Sequence, residues 1–517
     1  MYFPRVKKLN LLLFISLSLW SCQSEFAPNE MECTDRSFSP DSSIERYQAN
    51  NGPLLNLDYS TKIAPEYLQS DYRILRLMLE ESNPNLYHYR SQNEMDSFFD
   101  TQFCALSDSA YYLDFIRSLA KTFNFMACGH SGWSHRNSYF PYRDTSLKLL
   151  PLDLKIEGNQ YFIREDYSEN PALKKDMEII QINGRSPNEI NHLLSQHMYR
   201  DGRSAPEARQ EIEKYFRNAY SNFIENPEHF EIQVRHPQGI QQLQLIALPK
   251  GEIDSIQKAQ QPIDHKPSKF LEFQSWPQKN MAYYRIGWFR NEGIEAMGQN
   301  FNHYTDSVFT AIAEEDLDTL IIDLRGNTGG WTANGKKLLS YLLNEPHSYI
   351  DEVRFKKLGN FSFQELILSD QGLNDTMHFT QNADSLWTWT NYPSLQVQPA
   401  DSNRFQGQVI ILIDEWTRSA AGIFSSLARE YSNALFIGPE NACARGGQGG
   451  MVMVTQLPWT GVTVHFSTAQ YSLNIDPEKV ARGLNTDFEN LEQWMALHPQ
   501  SALATIWKAE VGDSMIH

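Results

Sequence analysis

Ser419 opens a run of small residues, Ser419-Ala420-Ala421-Gly422. An apolar stretch from Val409 to Ile413 and a polar turn, Asp414 to Arg418, precede it. A buried strand, a short turn and a helix in that order put residue 419 at a helix start. The first amides there have no intrahelical partner, and the dipole end is positive. A serine hydroxyl attacks a carbonyl only if a base takes its proton and donors hold the oxyanion that forms. The amide of Ala420 is placed to be one such donor. Serine is also a favoured helix N-cap, so this segment alone is compatible with either role. A second loop follows another apolar run, Leu317 to Leu324. It reads Arg325-Gly326-Asn327-Thr328-Gly329-Gly330. In open α/β sheets sites gather beyond the carboxyl ends of the strands. Glycines allow close backbone approach there, so Gly329 or Gly330 could supply a second oxyanion amide. A base is available from His130, in Gly129-His130-Ser131, or from His465 on a strand-like run. An imidazole near its ordinary pKa suits proton transfer at neutral pH.

The elements that would position these groups follow from periodicity. Residues 66–127 carry helical spacing, as in Ile74, Leu75, Met78 and Leu79. Alternating runs follow at Leu152–Ile156, Tyr161–Ile163, Met177–Ile182, Phe230–Val234 and Leu243–Leu248, with Asn183-Gly184 as a turn signal. A polar helical stretch from Ala205 to about Glu225 divides them. Residues 249–275 are polar and read as a linker. Beyond them the pattern is α/β: a strand at Ala282–Ile286, a helix from Ile294 to Ala313, buried strands at 317–324 and 409–414, and helices at 333–343 and 419–429.

The chain has 517 residues and a formal charge of −18. That balance argues against nucleic acid as a partner, because phosphate binding needs a basic surface. Arg5, Lys7 and Lys8 precede an apolar run, Leu11 to Leu19, too short to span a bilayer. Trp20-Ser21-Cys22 follows and resembles a bacterial lipobox, which implies lipidation of Cys22 and anchoring of an exported protein to a membrane. Residues 22–65 are polar and read as a tether. Cys33, Cys104, Cys128 and Cys443 show no metal-binding spacing. No metal or other cofactor is expected.

The run Asp323-Leu324-Arg325-Gly326-Asn327-Thr328-Gly329-Gly330 resembles the D-L-R-G-N-x-G-G signature of the tail-specific and tricorn-core serine peptidases. Thr417-Arg418-Ser419-Ala420-Ala421 stands where that family carries its nucleophile. Met177 to Arg185 is similar to a segment of the family's PDZ-like domain. Gly129-His130-Ser131 resembles the G-H-T segment of the tricorn-like branch, in which histidine is the base. The resemblance implies an α/β chain with a crotonase-like ββα core, an N-terminal helical domain and a PDZ-like, mostly β domain. The implied division is signal peptide 1–21, tether 22–65, helical domain 66–148, PDZ-like domain 149–250 and catalytic core 265–510. It implies a serine peptidase acting on peptides or proteins at the cell envelope.

The sequence departs from the tail-specific pattern in three places. The lysine base expected about 25 residues after the serine is missing; Ala442 to Gly447 contains Arg445, which stays protonated. That leaves His130 as base on motif grounds, with His465 as its rival. Glu478 is the nearest match to an orienting glutamate of the tricorn branch. Gly422 replaces a family glutamate, and Gly483 to Asp487 lacks a family proline. A non-catalytic relative that binds peptide or glycan is the competing expectation.

Overall fold

In the computed structural model the described residues are 41–198, 200–202, 209–260, 269–369, 377–400, 403–441, 445, 447–476, 479 and 483–498. Cys22 and Glu478 therefore lie outside the described residues, as does the predicted signal segment.

The helical region forms as its spacing predicts: α1 (Pro65–Ser82), α2 (Gln92–Ala105) and α3 (Tyr112–Met126). Ser91 and Glu94 cap α2 reciprocally. Ala127 ends α3 in the left-handed conformation, and the chain turns into a short strand, β1 (Gly132–Ser134). Residues Asp41–Asn50 are helical and bury Ile44 and Tyr47, because that amphipathic segment has apolar surface to cover.

Next comes an antiparallel sheet of β2 (Leu152–Glu157), β3 (Gln160–Asp166), β4 (Glu178–Ile182), β5 (His229–His236) and β6 (Gly239–Ile246), ordered as in the chain. Between β4 and β5 stand α4 (Pro187–Ser195) and α5 (Arg209–Phe223). Leu152, Leu154, Tyr161, Ile163, Phe230, Ile232 and Val234 share a core with Ile212, Phe216 and Tyr220 of α5. Their alternation along the strands is the reason one sheet face is buried.

The expected linker is largely structured. Lys250–Gln260 is helical. Leu271–Trp276 forms β7, an edge strand paired antiparallel with β8 (Met281–Ile286). The predicted 294–313 helix is two helices, Asn291–Ala296 and α6 (Phe301–Glu314), because Gly298 breaks it at φ +70°. Then follow β9 (Thr319–Asp323), α7 (Thr332–Ser340), β10 (Glu352–Phe355), β11 (Gln408–Leu412), α8 (Ala420–Tyr431) and β12 (Leu435–Ile437). The sheet order is β7-β8-β9-β11-β12, parallel from β8 onward. Ala282, Leu320, Ile322, Val409 and Ile411 bury one face under α6, α7 and α8. Met281, Tyr283, Ile321, Ile410 and Leu412 bury the other beside Trp276 and Trp494. Burial on both faces explains why these strands read as continuous apolar runs.

The chain then forms a long hairpin, β13 (Gly447–Gln456) and β14 (Thr463–Ser472). β14 also pairs with β10 and with β1, so this sheet joins the N-terminal region to the C-terminal one. Among the described residues no helix is long and apolar enough to cross a membrane.

Candidate active site

β11 ends at Leu412, and the turn to α8 is held by side chains rather than by a standard hairpin. The Asp414 carboxylate accepts from Trp416 N at 3.0 Å and from Gly326 N at 2.9 Å. It thereby ties the two strand-end loops together. The Thr417 hydroxyl donates to Leu324 O at 3.1 Å and lies 3.1 Å from the donating Asp414 N. Arg418 N donates to Asn327 O at 3.1 Å. Between these clamps Ser419 adopts φ 52° and ψ −127°. That conformation costs a residue with a Cβ about 1–3 kcal/mol and persists only where the surroundings impose it. The hydroxyl makes no capping bond to α8. It lies 2.9 Å from His130 Nε2. The N-cap alternative is thus not what the side chain does.

The second loop is built around Asn327, which is fully buried. Its Nδ2 donates to Ile286 O at 3.0 Å and its Oδ1 accepts from Gly329 N at 2.9 Å. Asp323 receives Arg325 Nε and Nη2 and the Tyr283 hydroxyl. Gly329, at φ +96°, passes so close to Ser419 that a Cβ on it would stand 2.6 Å from Ser419 Cβ and 2.9 Å from Ala420 N. The Gly329 amide, one of three expected oxyanion donors, is already engaged with Asn327. The Gly330 amide is different. Gly329 O accepts from Phe289 N at 3.0 Å, and in a trans peptide the following N–H points the opposite way. Gly330 N–H is therefore directed away from Phe289. Trp331, next in line, is 53% exposed, its indole N–H bonded to Glu292 at 3.3 Å.

His130 comes from a different part of the chain. After α3, Ser131 N donates to Cys128 O at 3.0 Å and Gly129 N to Asp201 Oδ1 at 3.1 Å. β1 then pairs with β14, setting Gly132 opposite His465 and Trp133 opposite Val464. Burial pushes the His130 imidazole down to about 4, with His465 and the Arg418 guanidinium adding to the effect. Its Nδ1 is buried without a partner among the described residues. His465, the rival, is also pushed down by burial. It packs against Gly132, where a Cβ would meet its Nε2 at 2.9 Å. Among the described residues no group of three or more His, Cys, Asp or Glu is placed to hold a metal ion.

Residues 281–489 match the sequence model of peptidase family S41. The match runs from β8 past β14 and supports an S41 peptidase family for this chain. With that match the protein is a serine peptidase. Solved structures with a similar fold include mature CPAF, 13% identical, with 82% of this chain and 92% of that one covered at a TM-score of 0.55. Mature CPAF complexed with lactacystin is likewise 13% identical, covering 86% and 98% at 0.55. The photosystem II D1 C-terminal processing protease is 12% identical, covering 82% and 92% at 0.36. No curated protein matches the chain.

Reading the sequence missed several residues of this candidate site. Asn327, Asp414 and Thr417 hold the loops, and Arg418 joins the Ser419 turn to Glu211 of α5 at 3.8 Å. The asparagine and threonine stood inside the quoted motifs, but nothing local showed which backbone atoms they serve. Glu211 gave no signal at all, being one of several acidic residues on a polar helix.

Proposed function

We propose that this S41 peptidase cleaves peptide bonds through an acyl-enzyme on Ser419, with His130 as general base. The single observation carrying this reading is the 2.9 Å contact between His130 Nε2 and Ser419 Oγ, across 289 residues of chain. A neutral imidazole with its proton on Nδ1 offers Nε2 as acceptor. Its lowered pKa keeps it neutral, hence ready to accept, at pH 7. The carbonyl oxygen of the scissile bond docks toward Ala420 N–H and Gly330 N–H. Gly329 contributes space: its missing Cβ is where the reacting carbon must pass. Ser419 attacks, His130 takes the proton and returns it to the leaving amine, and water activated by the same imidazole releases the acyl group.

The parallel sheet with its covering helices is consistent with a crotonase-like core. The antiparallel sheet of residues 152–246 with α4 and α5 serves as a PDZ-like domain. The N-terminal segment directs export, and lipidation of Cys22 anchors the enzyme in the cell envelope.

A fluorophosphonate probe tests the chemistry. Wild type labels and Ser419→Ala does not, while His130→Ala labels far more slowly. Equal labelling of the three proteins would overturn the reading. Palmitate incorporation lost in Cys22→Ala tests the anchor.

A further inference from the structure

The β13–β14 hairpin closes through a turn whose Leu457 N donates to Val462 O at 2.8 Å. The first three residues after it, Thr463, Val464 and His465, are the ones that pair with Ser134, Trp133 and Gly132 of β1. His130 stands two residues before that pairing. Whatever fixes the turn therefore helps to fix the register on which the imidazole depends.

Residues 41–59 lie in a stretch that reads as a polar tether, yet they are bound to this turn. Leu54 N donates to Pro458 O at 2.8 Å and Leu55 N to Trp459 O at 3.2 Å. The Tyr47 hydroxyl donates to Gln456 Oε1 at 2.9 Å, and the Arg46 guanidinium lies 4.7 Å over the Trp459 ring. The same segment also holds the chain that leaves β1. Arg136 Nη1 donates to Leu55 O at 2.9 Å and to Thr460 O at 3.2 Å. The Tyr59 hydroxyl lies 2.7 Å from Ser138 Oγ. One guanidinium nitrogen thus joins the segment, the hairpin turn and the exit of β1. The packing leaves no slack. At Gly461, φ +69°, a Cβ would stand 2.9 Å from Pro53 Cγ and 3.3 Å from Arg136 Cζ. On its other side the turn rests on Asp71 of α1, which is fully buried. That carboxylate accepts from Trp459 N at 2.9 Å and from Thr460 N and Thr460 Oγ1, each at 2.7 Å. A buried carboxylate is costly unless donors offset its lost hydration, and here the hairpin turn supplies all three.

We propose that residues 41–59 form a strap that positions His130, by holding the turn before β14 and the chain after β1 in one register. The assignment rests on the reading of His130 as general base. Arg136 and Asp71 are then positioning residues, which act on the imidazole through the strand pair. The test labels the purified full chain with a fluorophosphonate. The rate reports the base, and the final labelled fraction reports how much of the protein is folded. Arg136→Ala is expected to slow labelling about tenfold at an unchanged final fraction, since a misplacement near 1 Å can cost that much. Arg136→Lys, which keeps a donor, is expected to recover most of the rate. In a His130→Ala background the Arg136→Ala change should alter the rate by less than about twofold, because a device that acts through the imidazole has nothing left to move. If Arg136→Ala lowers the final fraction, Asp71→Asn replaces it, with several-fold slowing expected and the same dependence on His130. Unchanged rates, or slowing that persists in full without His130, would overturn the strap alone. A wild type that does not label, or a His130→Ala protein that labels as fast as wild type, overturns the reading of the base itself.

Discussion

The loop that presents Ser419 and the loop that carries His130 reach the same point by different means. The Ser419 turn is determined close at hand: a parallel strand delivers it, and Asp414, Thr417 and Asn327 bind its backbone to the neighbouring loop. The histidine loop borrows its position from distant chain. It leaves α3 through a left-handed residue, rests on Asp201 and is set by the pairing of β1 with β14. Ser419 is therefore held in a strained conformation by dense hydrogen bonding, and His130 by strand register. Damage to the first should abolish chemistry or folding, and damage to the second should misplace a proton acceptor that is otherwise intact.

The largest expected effect is at the meeting point. Ser419→Ala and His130→Ala should each lower kcat/KM for a peptide substrate by about 10⁴-fold or more, and the double variant should lose little beyond either single one. Steady-state kinetics on all three proteins checks this. Additive losses would mean the two groups do not act as a unit.

Gly329→Val comes next and breaks the nucleophile side. Its Cβ would stand 2.6 Å from Ser419 Cβ and 2.8 Å from Arg418 O at a positive φ. An activity loss of about 10²-fold together with a destabilisation of about 1–3 kcal/mol is expected. Thermal unfolding alongside kinetics measures both.

Gly132→Ala breaks the other side more gently. Its methyl would press on the His465 ring at 2.9 Å, shifting the loop that carries His130. About a tenfold loss in kcat is expected, since a misplacement near 1 Å can cost more than that, with fluorophosphonate labelling slowed in parallel. An unchanged kcat would show that strand register does not set the base.

The smallest effect is on pH dependence. As the proposed base His130 must be neutral to work, and its pKa is lowered from 6.5 to about 4. The acid limb of kcat/KM should therefore lie well below 6.5. The same shift has a stability consequence. Between 6.5 and about 4 the unfolded chain binds the proton and the folded one does not, so stability contributed by the neutral ring falls as pH drops through this window. Removing the nearby guanidinium with Arg418→Gln should move the acid limb upward in pH, which a pH–rate profile detects.

Much of the parallel sheet was legible because its strands are apolar on both faces and end in polar turns that lead to the glycine loop or to Ser419. The 250–260 helix and the β7 edge strand were not legible, since polar composition hid a half-buried element. The break at Gly298 was missed because the helical apolar spacing continues on either side of it. Gly329 was readable as a glycine that permits close approach. That its own amide is consumed by Asn327 was not, because an Asx-type bond looks the same in sequence whether or not it forms.

By itself the chain determined which residue types stand ready: a serine at a helix start, a glycine loop at a strand end, and histidines in two separate segments. These are local matters, settled by periodicity, propensity and turn chemistry. Only the tertiary structure decided that His130 and not His465 meets the Ser419 hydroxyl, because strand pairing across more than three hundred residues sets which imidazole points at it. It also decided that Gly132, His197, Asn218 and His465 share one cavity wall. Side chains that far apart in sequence carry no mark of one another until packing brings them together.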